Sequence, residues 1–219
     1  MTLAMFDLDH TLLDGDSDGL WGEFLVAVGA LNAEHFRRES ARYDRDYRTG
    51  QLDADAYYRF SLAPLGQHPL EQLHAWRRRY LEEHIHHRVA HGARRLLDDH
   101  RDAGHTLMII TATNQFLTKP IADFLEVELL IATEPEMIDG RYTGRLAGKA
   151  CIQEGKVTRL QSWLEESGES MTGSWFYGDS NSDIPLLEIV DHPVAVNPDP
   201  ILAAHARERQ WPIIDLRSP

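Results

Sequence analysis

AMFDLDHTLL, residues 4 to 13, decides the fold. Leu3 to Phe6 is a short apolar run of the kind that makes a strand buried on both faces of a parallel sheet, and Asp7 and Asp9 follow it at once. In open α/β sheets, ligands collect at the carboxyl ends of the strands. Two like charges at such an end repel unless a cation or a shared proton relieves them, and a hard divalent metal with oxygen ligands is the natural remedy. Taken alone, the same acids also suit a solvated turn, since Asp is favoured where strands end.

Beyond the opening strand the chain changes character twice. From residue 15 to 88 the period is helical: Leu20, Trp21, Phe24, Leu25 and Val28 form one apolar face, ended near Gly29. A second helix is expected from an Asn32 cap to Gly50, and a third from Asp53, stopped by Pro64 and Gly66. A fourth follows Pro69 and turns Leu70, Leu73, Trp76, Tyr80 and His84 inward. These four make a small helical bundle inserted as a cap. From residue 91 helices alternate with apolar strands at 105–111, 128–132, 174–177, 193–196 and 212–216, the pattern of βαβ units in a mostly parallel sheet. Pro135 to Gly148 interrupts it with Asp139-Gly140, a two-residue hairpin signal. The expected architecture is therefore α/β, a Rossmann-like core of residues 1–14 and 89–219 with helices on both faces, plus a cap of residues 15–88.

Composition narrows the function. With 219 residues, 42% hydrophobic and 26% charged, the chain can bury a proper core. A formal charge of −13 excludes the basic stripe that a nucleic-acid surface needs, so an anionic substrate must be drawn in by local groups. One cysteine, Cys151, excludes an internal disulfide framework. No apolar run approaches the roughly 18 residues of a membrane span, and a strand at the very start leaves no room for a signal peptide. A cytoplasmic location is the expectation, and oligomeric state is left open.

Three further signals sit at strand ends or helix starts. LMIITATNQ ends a strand in Thr111, with Ala112, Thr113 and Asn114 opening the turn; a hydroxyl beside free N–H groups makes an anion site, although Thr111 also suits a plain strand and Thr113 a plain N-cap. QEGKVTRLQSWL places Lys156 in the first turn of an amphipathic helix, the wrong end for a lysine unless it faces an anion. SWFYGDSNSDIPLL runs from an apolar strand through Gly178 to Asp179 and Asp183, two more acids at a strand's carboxyl end.

With these four in order, the chain closely resembles the haloacid dehalogenase superfamily of phosphatases and phosphotransferases over nearly its whole length. DLDHT at 7–11 matches the DxDxT motif, Thr111 the strand-end Ser or Thr, Lys156 the basic position and GDSNSD at 178–183 the acidic motif. The insertion is similar to the cap of the phosphoserine phosphatase branch. The resemblance implies a phosphomonoesterase that works through an aspartyl-phosphate: Asp7 as nucleophile, Asp9 as general acid and base, and Mg²⁺ on Asp7, Asp179 and the Asp9 carbonyl. Asp183 would hold a metal-bound water or Lys156. Thr111, the Ala112 and Thr113 amides and Lys156 would bind the remaining phosphoryl oxygens. Two departures stand out: Ala112-Thr113 replaces the Gly-Gly that usually follows the motif-two Ser, and Ser182 stands where Asn is usual.

The substrate, a small-molecule phosphate monoester, should be chosen by the cap and by the loop LDGDSDGLWGEF at 13–24. Asp16 falls where phosphoserine phosphatases carry a Glu for the substrate ammonium; it also suits a helix cap. Trp21 could stack on a ring or belong to the cap core. The loop and VNPDP at 196–200 are similar to a bacterial branch that includes histidinol-phosphate phosphatases. Histidinol phosphate carries an ammonium and an imidazole; phosphoserine adds a carboxylate, whose cation could come from Arg42, Arg45 or Arg48. The best expectation is histidinol phosphate, with phosphoserine as the alternative. From another class, a binding or signalling module that stores a phosphoaspartate without turnover is countered by the cap and by Asp9, and a dehalogenase has no use for Asp9, Asp179 and Asp183. The stretch HIHHRVAH at 84–91 has no converging spacing and no Cys for a zinc site, and is placed at the cap hinge.

Overall fold

A computed structural model describes residues 2–218. Six parallel strands form the central sheet in the order β3-β2-β1-β6-β7-β8, with β1 Leu3–Phe6, β2 Thr106–Asn114, β3 Leu129–Thr133, β6 Trp175–Gly178, β7 His192–Val196 and β8 Ile213–Ile214. β1 lies at the centre, in register with Thr106 to Ile109 on one side and Trp175 to Tyr177 on the other. Its residues alternate between two cores: Ala4 and Phe6 join Leu107 and Ile109 on one face, Leu3 and Met5 join Met108 and Ile110 on the other. A strand wholly buried on both faces has to be apolar throughout, which is why the LAMF run could be read as a central strand. Helices α5 Ala93–Asp102, α6 Gln115–Phe124, α7 Glu154–Ser167, α8 Ile184–Leu187 and α9 Pro200–Arg209 cover the sheet.

Four helices fill the excursion between β1 and α5: α1 Ser17–Ala27, α2 Ala33–Arg48, α3 Ala54–Gln67 and α4 Leu70–Tyr80. Asp16, Asn32 and Asp53 cap the first three by accepting backbone N–H bonds, as the sequence leads one to expect. The chain leaves and re-enters side by side, with Leu13 bridged to Val89 and the Asp14 amide donating to the Arg88 carbonyl at 2.7 Å. Within the stretch 84–91, His84 lies against Phe24 and Tyr80, and His86 stacks on Phe124 at 4.1 Å.

Three local expectations need correction. α3 runs through Pro64 to Gln67 instead of stopping there; a proline this near the end forfeits one backbone bond, which the packing tolerates. Gly66 is kept for a close approach, since a Cβ there would meet the Thr143 carbonyl oxygen at 2.7 Å. That contact seats α3 on the hairpin, whose strands β4 Pro135–Ile138 and β5 Arg141–Leu146 form a separate antiparallel pair, turned by Asp139 and Gly140, both at positive φ. Finally, β2 continues to Asn114 through a register shift after Thr111, so Asn114, not Thr113, caps α6 by accepting from the Leu117 amide at 3.3 Å.

His100 on α5 is buried between His105, 2.7 Å from its Nδ1, and the Tyr177 hydroxyl, 2.8 Å from its Nε2. Burial, with His105 beside it, depresses its pKa from 6.5 to about 4. The folded state refuses a proton that the unfolded chain accepts, so this contribution is present above about pH 6.5 and lost as pH falls towards 4, on the order of 3 kcal/mol in full. Urea unfolding of wild type and His100→Gln between pH 7 and 4 should show the variant with the shallower loss; parallel pH profiles would contradict this.

Candidate active site

Every strand-end residue singled out in the sequence arrives at one place. Asp7 follows β1, its amide donating to the Tyr177 carbonyl at 2.8 Å, and its side chain is 9% exposed. Lys156, at the third residue of α7 and 1% exposed, donates to Asp7 Oδ1 and Asp183 Oδ1, both at 2.6 Å. An ammonium has three donors, so one is left for a ligand. Asp183 is saturated: its Oδ2 accepts from the Asp179 and Ser180 amides at 3.1 and 3.2 Å. A Cβ on Gly178 would sit 2.7 Å from that side chain, which is why glycine precedes Asp179.

Asp9 stands across the cavity in a turn closed by a Leu13 amide to Leu8 carbonyl bond, with His10 at φ 59. Its Oδ1 accepts from the Ser17 amide at 2.7 Å and its Oδ2 from the Thr113 hydroxyl at 2.6 Å. The Thr113 amide donates to Thr111 Oγ1 at 3.2 Å. The turn therefore fixes the orientation of the Asp9 carboxylate. The Ala112 carbonyl accepts from the Tyr58 hydroxyl of α3 at 3.0 Å.

Too many acids meet here for one lysine. Burial, with Asp183 adding to it against the pull of Lys156, pushes Asp7 up to about 7. Burial and the charge of Asp16 push Asp9 up to about 7 as well. Asp179 is raised well above the carboxylate range by burial and by Asp7 and Asp183. Burial alone would depress Lys156, but Asp183 and Asp7 outweigh it and hold its ammonium firmly charged. One carboxylate oxygen from each of Asp7, Asp179 and Asp183 falls within 4.8 Å of the others, and among the described residues no side chain hydrogen-bonds the Asp179 carboxylate. That donor set, all hard oxygen with uncompensated charge, fits a divalent cation such as Mg²⁺. Because Asp183 is spoken for by Lys156 and two amides, Asp7 and Asp179 are the side chains free to bind it.

The cluster forms the floor of a cavity of about 520 Å³ roofed by α1, α2 and α3. Asp16 and Asp18 line it beside Phe36, Tyr43, Tyr57 and Phe60, and among the described residues Lys156 is its one lysine or arginine. Asp16 Oδ1 accepts from the Asp18 and Gly19 amides at 2.9 and 3.1 Å, so the residue caps α1 and still faces the cavity. Both oxygens of Asp18 are taken, by Tyr57 at 2.7 Å and Asn114 at 3.2 Å, and burial followed by the charge of Asp16 pushes its pKa up to about 6. Trp21 is 2% exposed, stacked on Phe24 and edge-on to Tyr80, which makes it chiefly cap core. The cap arginines do not reach the cavity: Arg42 pairs with Glu39 and Asp46, Arg48 with Asp44, and Arg45 is exposed.

Acids and a buried lysine gathered at the carboxyl edge of a capped parallel sheet define a phosphoryl-transfer hydrolase. The model of the haloacid dehalogenase-like hydrolase family matches residues 4–188, so the chain belongs to that family, and it is a phosphatase within it. It is 39% identical over 219 residues to a histidinol-phosphatase of Neisseria meningitidis serogroup C (strain 8013), covering 98% of this chain and 99% of that protein. It is 33% identical over 217 residues to a phosphoserine phosphatase of Mycobacterium tuberculosis (strain H37Rv), covering 98% of this chain and 70% of that one. Among solved structures, a Bordetella pertussis Tohama I protein of unknown function superposes with a TM-score of 0.92 at 41% identity, covering 99% of this chain and 100% of that one. A phospho-aspartyl intermediate analogue of phosphoserine phosphatase gives 0.71 at 17% identity, over 99% and 93% of the two chains, which speaks for the fold alone.

Proposed function

We propose that this phosphatase is a Mg²⁺-dependent phosphomonoesterase whose substrate is histidinol phosphate, with residues 15–88 as the cap that selects it. The observation that carries this reading is the cavity lining: acids and aromatic rings, with Lys156 as its one lysine or arginine among the described residues. A substrate with an ammonium, a flat ring and no carboxylate suits such a wall. Phosphoserine would bring a carboxylate to a face that, among the described residues, offers it no arginine and no lysine besides Lys156, and a buried unpaired charge is costly. The 39% identity to a histidinol-phosphatase supports the same choice.

The mechanism follows from the residues. Asp7 Oδ2 attacks phosphorus in line, the ester P–O bond breaks, and Asp9 gives its proton to the departing alkoxide. A pKa near 7 lets Asp9 hold that proton at neutral pH. Asp9, now ionised, takes a proton from water as the water attacks phosphorus, and the bond from phosphorus to Asp7 breaks to release phosphate. The third N–H of Lys156, the Thr111 hydroxyl and the Ala112 amide hold phosphoryl oxygens while charge spreads over them. Asp7, Asp179 and the Asp9 carbonyl would hold the cation, which would supply neutralisation of phosphoryl charge.

Phosphate release from histidinol phosphate should vanish with EDTA and return with Mg²⁺; turnover that survives exhaustive chelation would contradict the metal role. Asp16 has a carboxylate oxygen free for the ammonium, and Asn in its place keeps the helix cap. Asp16→Asn should therefore raise KM for histidinol phosphate by about tenfold or more, the worth of one charge-assisted hydrogen bond, and leave p-nitrophenyl phosphate hydrolysis nearly unchanged. An equal effect on both esters would remove Asp16 from substrate selection.

A further inference from the structure

Tyr47, in the last turn of α2, is the cap side chain that reaches the acidic loop after β6. Its hydroxyl lies 2.9 Å from Ser180 Oγ and 3.0 Å from Ser182 Oγ, across 133 and 135 residues of sequence. The two serine hydroxyls are 3.0 Å apart, and Ser180 Oγ donates to Asp183 Oδ2 at 3.3 Å. A carboxylate only accepts, so Ser180 spends its one proton on Asp183, and its oxygen is left to accept from the Tyr47 and Ser182 hydroxyls that surround it. Hydrogen bonds in such a chain polarise one another. Burial holds the Tyr47 phenol well above its ordinary pKa, so it remains a neutral donor.

We propose that Tyr47 is a positioning residue that latches the cap shut on the acidic loop, coupling closure to the placement of Asp183 and, through Lys156, of Asp7. This rests on the phosphatase reading but not on which ester is cleaved. The seryl hydroxyl at 182 has a definite use here: it gives the Tyr47 hydroxyl a second partner beside Ser180. When the latch is lost, the closed state becomes a smaller fraction of the population and apparent affinity falls by that fraction, while substrate at saturation restores closure.

The test is a double-mutant cycle of Tyr47→Phe and Ser182→Ala, with p-nitrophenyl phosphate as substrate, run beside hydrogen exchange of the Asp179 and Ser180 amides that bond Asp183. Each single variant should lower kcat/KM about tenfold through KM, with kcat within twofold. The double variant should lose clearly less than the product of the two single losses, since Tyr47 and Ser182 bond each other and share Ser180. Exchange of the two amides should quicken about tenfold in Tyr47→Phe at an unchanged Tm. Additive losses of about a hundredfold, or wild-type kinetics and exchange in Tyr47→Phe, would overturn the latch. If wild type itself shows no turnover, the phosphatase reading fails, and the exchange measurement still judges the latch.

Discussion

Asp7→Asn should abolish turnover, by on the order of 10⁴-fold or more in kcat, because in the proposed mechanism the variant lacks the nucleophilic carboxylate and not merely a contact that helps it. The same substitution should leave the protein at least as stable as wild type. Asp7 is buried, held near pKa 7 and next to Asp179 and Asp183, whose charges it opposes. An amide at that position still accepts the Lys156 hydrogen bond while removing one of three crowded acids. Activity and stability thus move in opposite directions, the mark of a site that gives up stability for chemistry. Thermal unfolding run beside the assay separates this from inactivation by misfolding. An Asp7→Asn protein with near-normal phosphatase activity would end the nucleophile assignment.

Lys156→Met should behave in the opposite way, losing both activity and stability. Its ammonium is the shared partner of Asp7 and Asp183 at 2.6 Å, and methionine matches its bulk without its charge. Two buried carboxylates would then face each other with no cation, a situation that costs about 3–5 kcal/mol. The loss should be smaller at pH 5 than at pH 8. Asp7 is already held above the ordinary carboxylate range by burial, and losing the ammonium removes the pull that opposes this, so its protonation favours the folded form as pH falls. Turnover should drop by about 10²–10³, the worth of a positioned donor to a charged transition state. Urea titrations at the two pH values check the first part and steady-state kinetics the second; a Lys156→Met protein as stable as wild type at pH 8 would show that the acids are neutralised by something else.

Much of the core was legible because acids follow directly on apolar strands. Leu3 to Phe6 had to be apolar to sit between two hydrophobic layers, and the change to Asp7 marks the sheet edge where the acids gather. The same holds for Gly178 and Asp179 after β6. Less legible were features that depend on what packs against an element. Pro64 reads as a helix stop, but α3 carries it because the chain ends its helix only at Gln67. Thr113 reads as a cap, whereas the strand bulges past it and turns its hydroxyl to Asp9 across 104 residues. Arg42, Arg45 and Arg48 share a helix with Tyr47, and periodicity tells which residues lie on one face but not where that face points. The contact of Tyr47 with Ser180 and Ser182 left one trace in the sequence, Ser182 where Asn is usual, and nothing in it pointed to Tyr47.

The cavity wall makes the central claim quantitative. Histidinol phosphate and phosphoserine share the phosphate ester and the ammonium; histidinol phosphate adds an imidazole, and phosphoserine a carboxylate. Their kcat/KM ratio on the Mg²⁺-loaded wild-type protein therefore reads the wall rather than the acid cluster. A cavity with acids, aromatic rings and no arginine predicts a ratio of about 10² or more in favour of histidinol phosphate, the order set by leaving a charge unpaired in a recognition site. A ratio near one, or a preference for phosphoserine, would contradict it.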